Sequence, residues 1–413
     1  MSTIPNIAIR HMLACALAFP ALGAFSGVQA RELTVLYKFA GGSDGDYPES
    51  PPIRDKAGNL YGTTIEGGSG NCYEGGACGT VFKLAPNGTK TILYSFNGGS
   101  DGAGPNWLAM DKAGNFYGTT AAGGGTGCLD EFGCGTVFKL AANGTETVLH
   151  AFTDGSDGAD PGSLAVDKDG NLYGTAYEGG AQTCGDLGCG VVFKLAPDGT
   201  ETVLYSFTGK SDGGHPVPGL LRDRQGNFYG ATSAGGMIGC YCGTVFKLDR
   251  HGKETVLYAF AGGSDGEGPY AGVVADASGN LYGTTEFGGD ENCGYGTGCG
   301  TVFRVATDGS ETVLYAFSDT GNNAGPMAPV LLNNAGNLYG TTAGVTGGGA
   351  GTVFKLAPDG KETVLHTFDG NDGSVPLGGL LADRKGRLYG TTEEGGSGCF
   401  DDTGCGTVFE IKE

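Results

Sequence analysis

Short apolar segments alternate with polar turns along almost the whole chain. The stretch 107–152 shows the unit: WLAMD, the turn KAGN, FYGTT, a long glycine-rich loop, GTVFKL, the turn AANG, and TETVLHAF. Segments this short, rich in Val, Thr, Tyr and Phe and joined by tight glycine-containing turns, are typical of antiparallel hairpins. Each unit therefore predicts four strands.

The unit recurs seven times. The tyrosine of NLYGTT and its variants stands at Tyr61, Tyr117, Tyr173, Tyr229, Tyr282, Tyr339 and Tyr389. The phenylalanine of GTVFKL and its variants stands at Phe82, Phe138, Phe193, Phe246, Phe303, Phe354 and Phe409. Four strands in a repeat of roughly 55 residues predict the blade of a β-propeller.

The two ends of the repeat array predict a closed ring. The segment LTVLYKF, just after residue 30, matches the fourth strand of a unit, whereas the chain ends after GTVFEI, a third strand. Pairing the two leaves no open edge. We therefore expect a seven-bladed all-β propeller over residues 31–413, with the segment Glu32–Phe39 completing the last blade.

The motifs GNLYGTT, GTVFKL and TVLYSF resemble those of the bacterial GloVer tandem-repeat family of β-propellers and, more distantly, NHL-type blades. The resemblance covers Glu32 to Lys412 and implies the fold and export. It implies no activity, because the family has no general one. Members often end in a surface-sorting anchor, and since none precedes Glu413 we do not expect surface attachment.

The first thirty residues predict a secretory signal peptide. Arg10 precedes the apolar run Met12–Phe25, and small residues lead to a cleavage site after Ala30. We expect a secreted protein, periplasmic or extracellular. No later run approaches the ~18 residues of a membrane span, so we expect none, and we expect a monomer.

The charge of the chain restricts its partners. Lys and Arg number 24 against 45 Asp and Glu, a net charge of −21. A field of this sign repels phosphate backbones, so nucleic acid is not an expected partner.

Twelve cysteines follow the predicted signal peptide, and all lie in pairs within second-to-third strand loops. An even count, local pairing and an export signal favour disulfides over metal sites, which would need further ligands nearby. The predicted pairs are Cys72–Cys78, Cys128–Cys134, Cys184–Cys189, Cys240–Cys242, Cys293–Cys299 and Cys399–Cys405.

Long loops identify the face on which we expect a binding site. The second-to-third loops and the inter-blade loops share one face of a propeller, called here the loop face, whereas the tight turns share the other, the tight-turn face. Binding residues usually lie on long loops of a rigid scaffold.

Departures from the repeat supply the candidate ligand-binding residues. Trp107, the only tryptophan, lies on an innermost strand where the other units have small residues or proline, and it would either stack on a ligand or fill the channel. Glu66, Glu178 and Glu394 share one aligned position after the second strand and are also catalytic candidates, for acid–base work or for binding a cation. The alternative, which we favour, is that they are solvated loop acids. His215 is the one histidine expected on the loop face.

An acidic residue stands before the proline of six inter-blade loops. These residues are Asp44, Asp101, Asp157, Asp212, Asp265 and Asp372, with Asn322 in the seventh loop. A ring of carboxylates could bind calcium. The alternative, an Asx-turn in which the side chain accepts the backbone N–H two residues on, suits asparagine as the substitute and is the interpretation we favour.

Together these features favour a secreted, disulfide-linked binding module for a saccharide or small exported ligand. We expect no cofactor, with calcium left open as an option. Two alternatives stay open. One is a propeller hydrolase, lactonase or lyase that uses the glutamates, and the other is an envelope or extracellular scaffold whose partner is a protein.

Overall fold

The structure is a computed structural model, and it describes residues 32–70, 72, 78–124, 133–290, 292–293, 296–318, 325–344, 350–396 and 404–413. The predicted signal peptide lies outside these residues. Arg31–Glu413 forms one compact unit. No helix of the described residues is both long and apolar enough to cross a membrane.

Seven antiparallel sheets form the blades of a β-propeller. Strands are given from the innermost to the outermost. Blade 1 has β2 Ile53–Arg54, β3 Leu60–Thr64, β4 Thr80–Leu84 and β5 Lys90–Ser95, and blade 2 has β6 Ala103–Met110, β7 Phe116–Ala122, β8 Thr136–Leu140 and β9 Glu146–Ala151. Blade 3 has β10 Ala159–Val166, β11 Leu172–Glu178, β12 Val191–Leu195 and β13 Glu201–Ser206. Blade 4 has β14 Gly214–Pro216 and β15 Leu221–Arg222 innermost, followed by β16 Phe228–Ala234, β17 Thr244–Leu248 and β18 Glu254–Ala259.

The remaining blades follow the same order. Blade 5 has β19 Val274–Ala275, β20 Leu281–Thr285, β21 Thr301–Val305 and β22 Glu311–Ala316. Blade 6 has β23 Leu331–Leu332, β24 Leu338–Thr342, β25 Thr352–Leu356 and β26 Glu362–Thr367. Blade 7 has β27 Leu381–Ala382, β28 Leu388–Thr392, β29 Thr407–Ile411 and β1 Leu33–Lys38. Short 3₁₀ turns occur at Gly42–Asp44, Gly99–Asp101, Gln182–Cys184 and Gly263–Asp265.

The ring closes as the sequence predicts. Strand β1 pairs antiparallel with β29, with Leu33 opposite Ile411 and Lys38 opposite Thr407. The seventh blade is therefore completed by the amino-terminal strand, and the last blade has no open edge.

One aromatic contact repeats at all seven blade interfaces. The phenylalanine that follows each outermost strand meets the GTVFKL phenylalanine of the next blade edge to face, at 5.1–5.2 Å between ring centroids. Phe39 with Phe82 is the contact that closes the ring, and both rings are fully buried. The glycine of NLYGTT makes room for this ring, since a Cβ at Gly62 would lie 2.7 Å from Phe82. Burying each phenylalanine stabilises the fold by about 2 kcal/mol, which explains why both phenylalanines recur in every repeat.

The innermost strands differ in length between blades. From the proline at the start of the strand to the aspartate of the tight turn, blade 2 has Pro105–Asp111, one residue fewer than Pro48–Asp55 of blade 1. Strands β6 and β10 are therefore continuous over eight residues, whereas in the other blades an extra residue interrupts the pairing.

Candidate functional site

The loop-face mouth of the channel begins with a residue in left-handed backbone conformation. In every blade the residue before the inner-strand proline has a φ between 51° and 68°; these are Tyr47, Gly104, Asp160, His215, Gly268, Gly325 and Val375. Four of them are not glycine, and a β-branched valine in this region is rare. Backbone conformations of this kind are held by their surroundings and cluster at functional sites.

Hydrogen bonds from the preceding blade hold these left-handed residues in place. The Gly104 amide donates to the carbonyl of Cys78 at 3.0 Å, and the His215 amide donates to that of Cys189 at 2.8 Å. In six blades the acceptor is the second cysteine of the preceding blade's pair, and for Val375 it is Ala350. The cysteine loops thus fix the start of the neighbouring inner strand, which forms the mouth.

Four of the predicted disulfides lie within the described residues, and all four are present: Cys72–Cys78, Cys184–Cys189, Cys240–Cys242 and Cys293–Cys299. Cys134 and Cys405 are also disulfide-bonded, while their predicted partners Cys128 and Cys399 lie outside the described residues. The sulfurs pack against the next inter-blade loop, so that a Cβ at Gly209 would lie 2.1 Å from Cys184 Sγ. Among the described residues, Cys240, Cys242 and Glu267 are the one group with metal-ligand spacing, but the bonded sulfurs are not free to be ligands.

A second aligned position, just after the second strand of each blade, also contributes one residue per blade to the mouth. In five blades the threonine that follows the glycine of the LYGTT strand donates to a carbonyl of the next blade's inner segment, as Thr391 Oγ1 does to the carbonyl of Ser50 at 3.0 Å. Side chains two apart on a strand share a face, so the residue two positions later faces the same neighbour. This residue is Ile65, Ala121, Tyr177, Ser233, Glu286, Ala343 and Glu393 in blades 1 to 7, and its variation contrasts with the uniform motif before it.

Blades 3 to 5 carry an aromatic cluster at this mouth, called here the aromatic sector: Tyr177, His215, Ser233, Tyr270 and Glu286. The rings of Tyr177 and His215 stack at 4.7 Å between centroids and 28° between planes. His215 Nδ1 lies 3.1 Å from the carbonyl of Tyr177, and Ser233 Oγ lies 3.4 Å from the Tyr177 hydroxyl. These contacts fix the orientation of the stacked pair.

Tyr270 and Glu286 extend the sector into blade 5. Tyr270 is 37 % exposed, one of the few large side chains of the core-forming strands and their flanks to face solvent. Burial, followed by the charge of Glu286 and the proximity of Tyr177, raises the pKa of Tyr270. Burial raises the pKa of Glu286 to about 7. The sector therefore offers aromatic faces beside a carboxyl group that changes its protonation near neutral pH.

Blades 7 and 1 carry a carboxyl pair on the same mouth. Glu49 follows the inner-strand proline of blade 1, and its carboxyl is hydrogen-bonded to that of Glu393. Burial, followed by the charge of Glu393, raises the pKa of Glu49 to about 8, and burial together with Glu394 raises the pKa of Glu393. Two carboxyls in contact cannot both ionise at low cost, so at neutral pH they share a proton.

The predicted glutamates lie next to the mouth positions rather than on them. Glu66 acts electrostatically on Glu49, and Glu394 on Glu393, so both lie near the carboxyl pair. Glu178 ends β11 in blade 3, with its backbone opposite Ala159. Ligand binding and catalysis by these three residues stay predictions.

Trp107 lies at the register shift in β6 and is partly buried. At the aligned position of blade 3, Ser163 Oγ accepts a 2.7 Å hydrogen bond from the Gly219 amide of the next inner strand. Gly219 and Gly272 are in turn so close that a Cβ on Gly272 would lie 2.1 Å from the Gly219 carbonyl oxygen. The inner strands are therefore packed closely at this level, and a binding role for Trp107 stays a prediction.

The inter-blade aspartates accept backbone hydrogen bonds from residues that precede them in the loop, whereas the predicted Asx-turn would use the N–H two residues on. Asp101 accepts hydrogen bonds from the Asn97 amide at 2.7 Å and the Tyr94 hydroxyl at 2.7 Å. Asp44, Asp157, Asp212, Asp265 and Asp372 likewise accept a backbone N–H three or four residues earlier. These bonds occupy carboxylate lone pairs that a calcium ion would need; Asn322 lies outside the described residues, and calcium binding at these loops stays a prediction.

Sequence reasoning missed most of the residues that meet at the mouth. It identified His215, but not Tyr177, Tyr270, Glu286, Glu49 or Glu393. The signal was present as variation at two aligned positions: the residue after Thr-Thr, and the residue after the inner-strand proline.

Comparisons with known proteins agree with this architecture. The sequence profile of the family described as the Gloeobacter/Verrucomicrobia repeat matches residues 23–187, 129–297 and 181–409. No curated protein sequence is significantly similar to the chain.

Two solved structures illustrate the structural likeness. The extracellular domain of BT4673 from B. thetaiotaomicron, assigned to the one-component systems, matches 92% of this chain with a TM-score of 0.57 and 10% identity. The match spans only 40% of that protein. A gluconolactonase from Xanthomonas campestris matches 92% of this chain and 89% of its own, with a TM-score of 0.44 and 15% identity. At these identities the first likeness shows the fold alone, and we draw nothing from the second.

Proposed function

We propose that this chain, which belongs to the Gloeobacter/Verrucomicrobia repeat family, is an exported binding protein that holds a saccharide or a similar small polyhydroxylated ligand at its loop-face mouth. The observation that carries the proposal is the aromatic sector, in which the stacked pair of Tyr177 and His215 adjoins the exposed Tyr270. Export is supported by the disulfides, which persist in oxidising compartments.

The chemistry of the aromatic sector suits a sugar. Aromatic faces provide apolar area against the C–H faces of a pyranose ring, and tyrosine hydroxyls together with a carboxyl group bond its hydroxyls. Glu286 can accept hydrogen bonds when ionised and also donate one when protonated. Sites that combine aromatic side chains with a few placed polar groups are typical of small-molecule binding.

The rigidity of the sector also favours binding. Ser233 Oγ contacts both the Tyr177 hydroxyl and, at 3.2 Å, the carbonyl of His215. The His215 backbone is held by Cys189 of the preceding disulfide loop. Side chains already held in place lose less conformational entropy when a ligand arrives.

A glycan array followed by titration calorimetry tests the proposal. Tyr177→Ala is the informative variant, because blades 2 and 6 already have alanine at this position, and Tyr270→Asn copies Asn106 of blade 2. Ile65→Ala, at the same ring position in blade 1, is the matched control. We expect the first two variants to weaken binding at least tenfold and the control to leave it unchanged; absence of any glycan ligand, or equal losses in all three, would refute the proposal.

Trp107 provides an independent readout, because its emission is not overlapped by that of another tryptophan. A change in its fluorescence with bound saccharide would place the ligand near the inner strand of blade 2. Unchanged emission, with binding intact, would assign Trp107 to packing.

The carboxyl pair favours a second candidate, a hydrolase, lactonase or lyase. A carboxyl with a pKa near neutral is suited to general acid–base catalysis. Glu49 and Glu393 are hydrogen-bonded to each other, closer than the ~5 Å or more that separates the two carboxyls of typical glycosidases, so lactone or lyase chemistry fits better than glycoside hydrolysis. Turnover of a lactone or uronate substrate that Glu393→Gln abolishes would support this candidate, and retention of activity after chelation would remove calcium from it.

A further inference from the structure

A basic pocket lies on the tight-turn face, opposite the mouth. Blades 7 and 1 form an open pocket of about 620 Å³ between the turns that follow β2 and β27. Five of its nine lining residues are basic and two are acidic; the basic ones are Arg54, Lys56, Arg384, Lys385 and Arg387. In a chain with almost twice as many acidic as basic residues, this local excess of positive charge is unusual.

The two carboxylates of the pocket already have partners within the fold. Asp55 accepts hydrogen bonds from the Asn59 amide and side chain at 2.9 and 2.6 Å. Asp383 Oδ2 accepts from Arg387 Nη2 at 2.6 Å. Arg387 Nη1 also lies 3.2 Å from Glu410, which pairs this guanidinium on two sides.

Arg54 is different, because its guanidinium has no ion-pair partner among the described residues. Its Nε is buried without a hydrogen bond. The guanidinium lies 5.6 Å from the ring centroid of Tyr389, and Arg387 lies at the same distance from that ring. Two guanidinium groups are therefore held against one tyrosine, and the one of Arg54 has no carboxylate partner among the described residues to neutralise its charge.

Blade 7 acquired these charges by departing from the repeat. Arg387 replaces the asparagine that the other six blades have at this position. Among the turns between first and second strands, only that of blade 7 has two adjacent basic residues, Arg384 and Lys385, whereas the same two positions are Asn-Ala in blade 6 and Ala-Ser in blade 5. The fold does not require basic residues here, so their accumulation in blade 7 calls for a binding explanation.

We propose that this pocket binds a small molecule through an oxyanion: a carboxylate, phosphate or sulfate. The planar guanidinium of Arg54 offers paired donors that match the oxygens of such a group, and the lysines add positive charge around it. The cavity lies within the ~300–1,000 Å³ range of small-molecule sites. The site is independent of the saccharide site, since it lies on the opposite face.

Titration calorimetry with citrate, inorganic phosphate and inorganic sulfate tests this site, and their relative affinities identify the preferred oxyanion. Arg54→Met copies the methionine of blade 2, and Arg384→Asn with Lys385→Ala copies blade 6. Lys112→Ala, on the same face in blade 2, is the matched control and copies Ala277 of blade 5. Because each change restores a residue that the repeat tolerates, we expect all variants to fold, and their thermal melts check this.

We expect the wild type to bind at least one probe, and both pocket variants to weaken it at least tenfold. The control should bind like the wild type, and affinity should fall as sodium chloride rises from 50 to 300 mM, since part of it is electrostatic. Absence of binding at 50 mM salt would overturn the proposal. Equal weakening by Lys112→Ala would overturn it too, because the cause would then be the charge of the whole face rather than the pocket.

Discussion

The carboxyl pair of Glu49 and Glu393 predicts a specific dependence of stability on pH. The pKa of Glu49 is raised from 4.5 to about 8. Between these values the folded protein holds a proton that the unfolded chain has released, so the free energy of unfolding falls as pH rises. A raised carboxyl pKa thus stabilises fully below pH 4.5, and this contribution is lost by about pH 8.

The size of the effect follows from the shift. Each pKa unit corresponds to 1.36 kcal/mol, so the full shift gives an upper bound of about 5 kcal/mol. Glu49 is only partly buried, and solvent at the mouth reduces this, so we expect about 2 to 4 kcal/mol. In Glu49→Gln the introduced amide still donates a hydrogen bond to Glu393 but does not ionise.

Urea denaturation of the wild type and Glu49→Gln between pH 5 and pH 9 measures the difference. We expect nearly equal stability at pH 5, and at pH 9 a variant more stable by that amount. Glu32→Gln, which changes an exposed glutamate, should differ from the wild type at neither pH. A Glu49→Gln difference that does not change with pH would show that the two carboxyls do not share a proton, and would refute the reasoning.

Three further changes test the packing of the blades, each by urea denaturation at pH 7. Thr120→Ala should lower the free energy of unfolding by about 1 to 2 kcal/mol, because the buried hydroxyl and the amide of Thr136 both lose their partner. Adding Thr136→Val recreates the Ala176 and Val191 pair of blade 3 and should recover much of this loss. A larger loss in the double variant would contradict the argument. Lys90→Met should lower the free energy of unfolding by about 3 kcal/mol, since the Lys90 side chain is 4% exposed and pairs with Asp44 at 2.9 Å. An unchanged urea midpoint would mean that the ion pair contributes nothing to stability. Val375→Gly should raise the free energy of unfolding by about 1 kcal/mol, because glycine adopts the left-handed conformation without strain, as it does at this position in three other blades. A lower stability would show that packing of the valine side chain outweighs the backbone strain.

The sequence was sufficient to predict the ring because each motif residue has one repeated physical role. The spacing of the phenylalanines reports the edge-to-face contact at every blade interface, and the spare strand Leu33–Lys38 reports the closure. The cysteine spacing predicted the disulfides for the same reason, because both members of each pair lie in one loop. Features that recur seven times can be inferred from a single chain.

The candidate site was harder to predict because it depends on contacts between blades. Side chains alternate in direction along β28 and its extension, and this alternation decides whether Glu393 or Glu394 faces the neighbouring blade. The alignment of the repeats does not by itself reveal which of the two does so. The meeting of Glu49 with Glu393 joins residues from opposite ends of the chain across the closure. The basic pocket was missed because a strongly acidic net charge hides a local excess of the opposite sign.

The position of a bound saccharide in crystals of the complex tests the central claim most directly. The account predicts the sugar at the loop-face mouth, with one ring face against Tyr270 or the stacked pair of Tyr177 and His215, and a hydroxyl bonded to Glu286. A saccharide bound only at the outer edge of the blades, or on the tight-turn face, would contradict it.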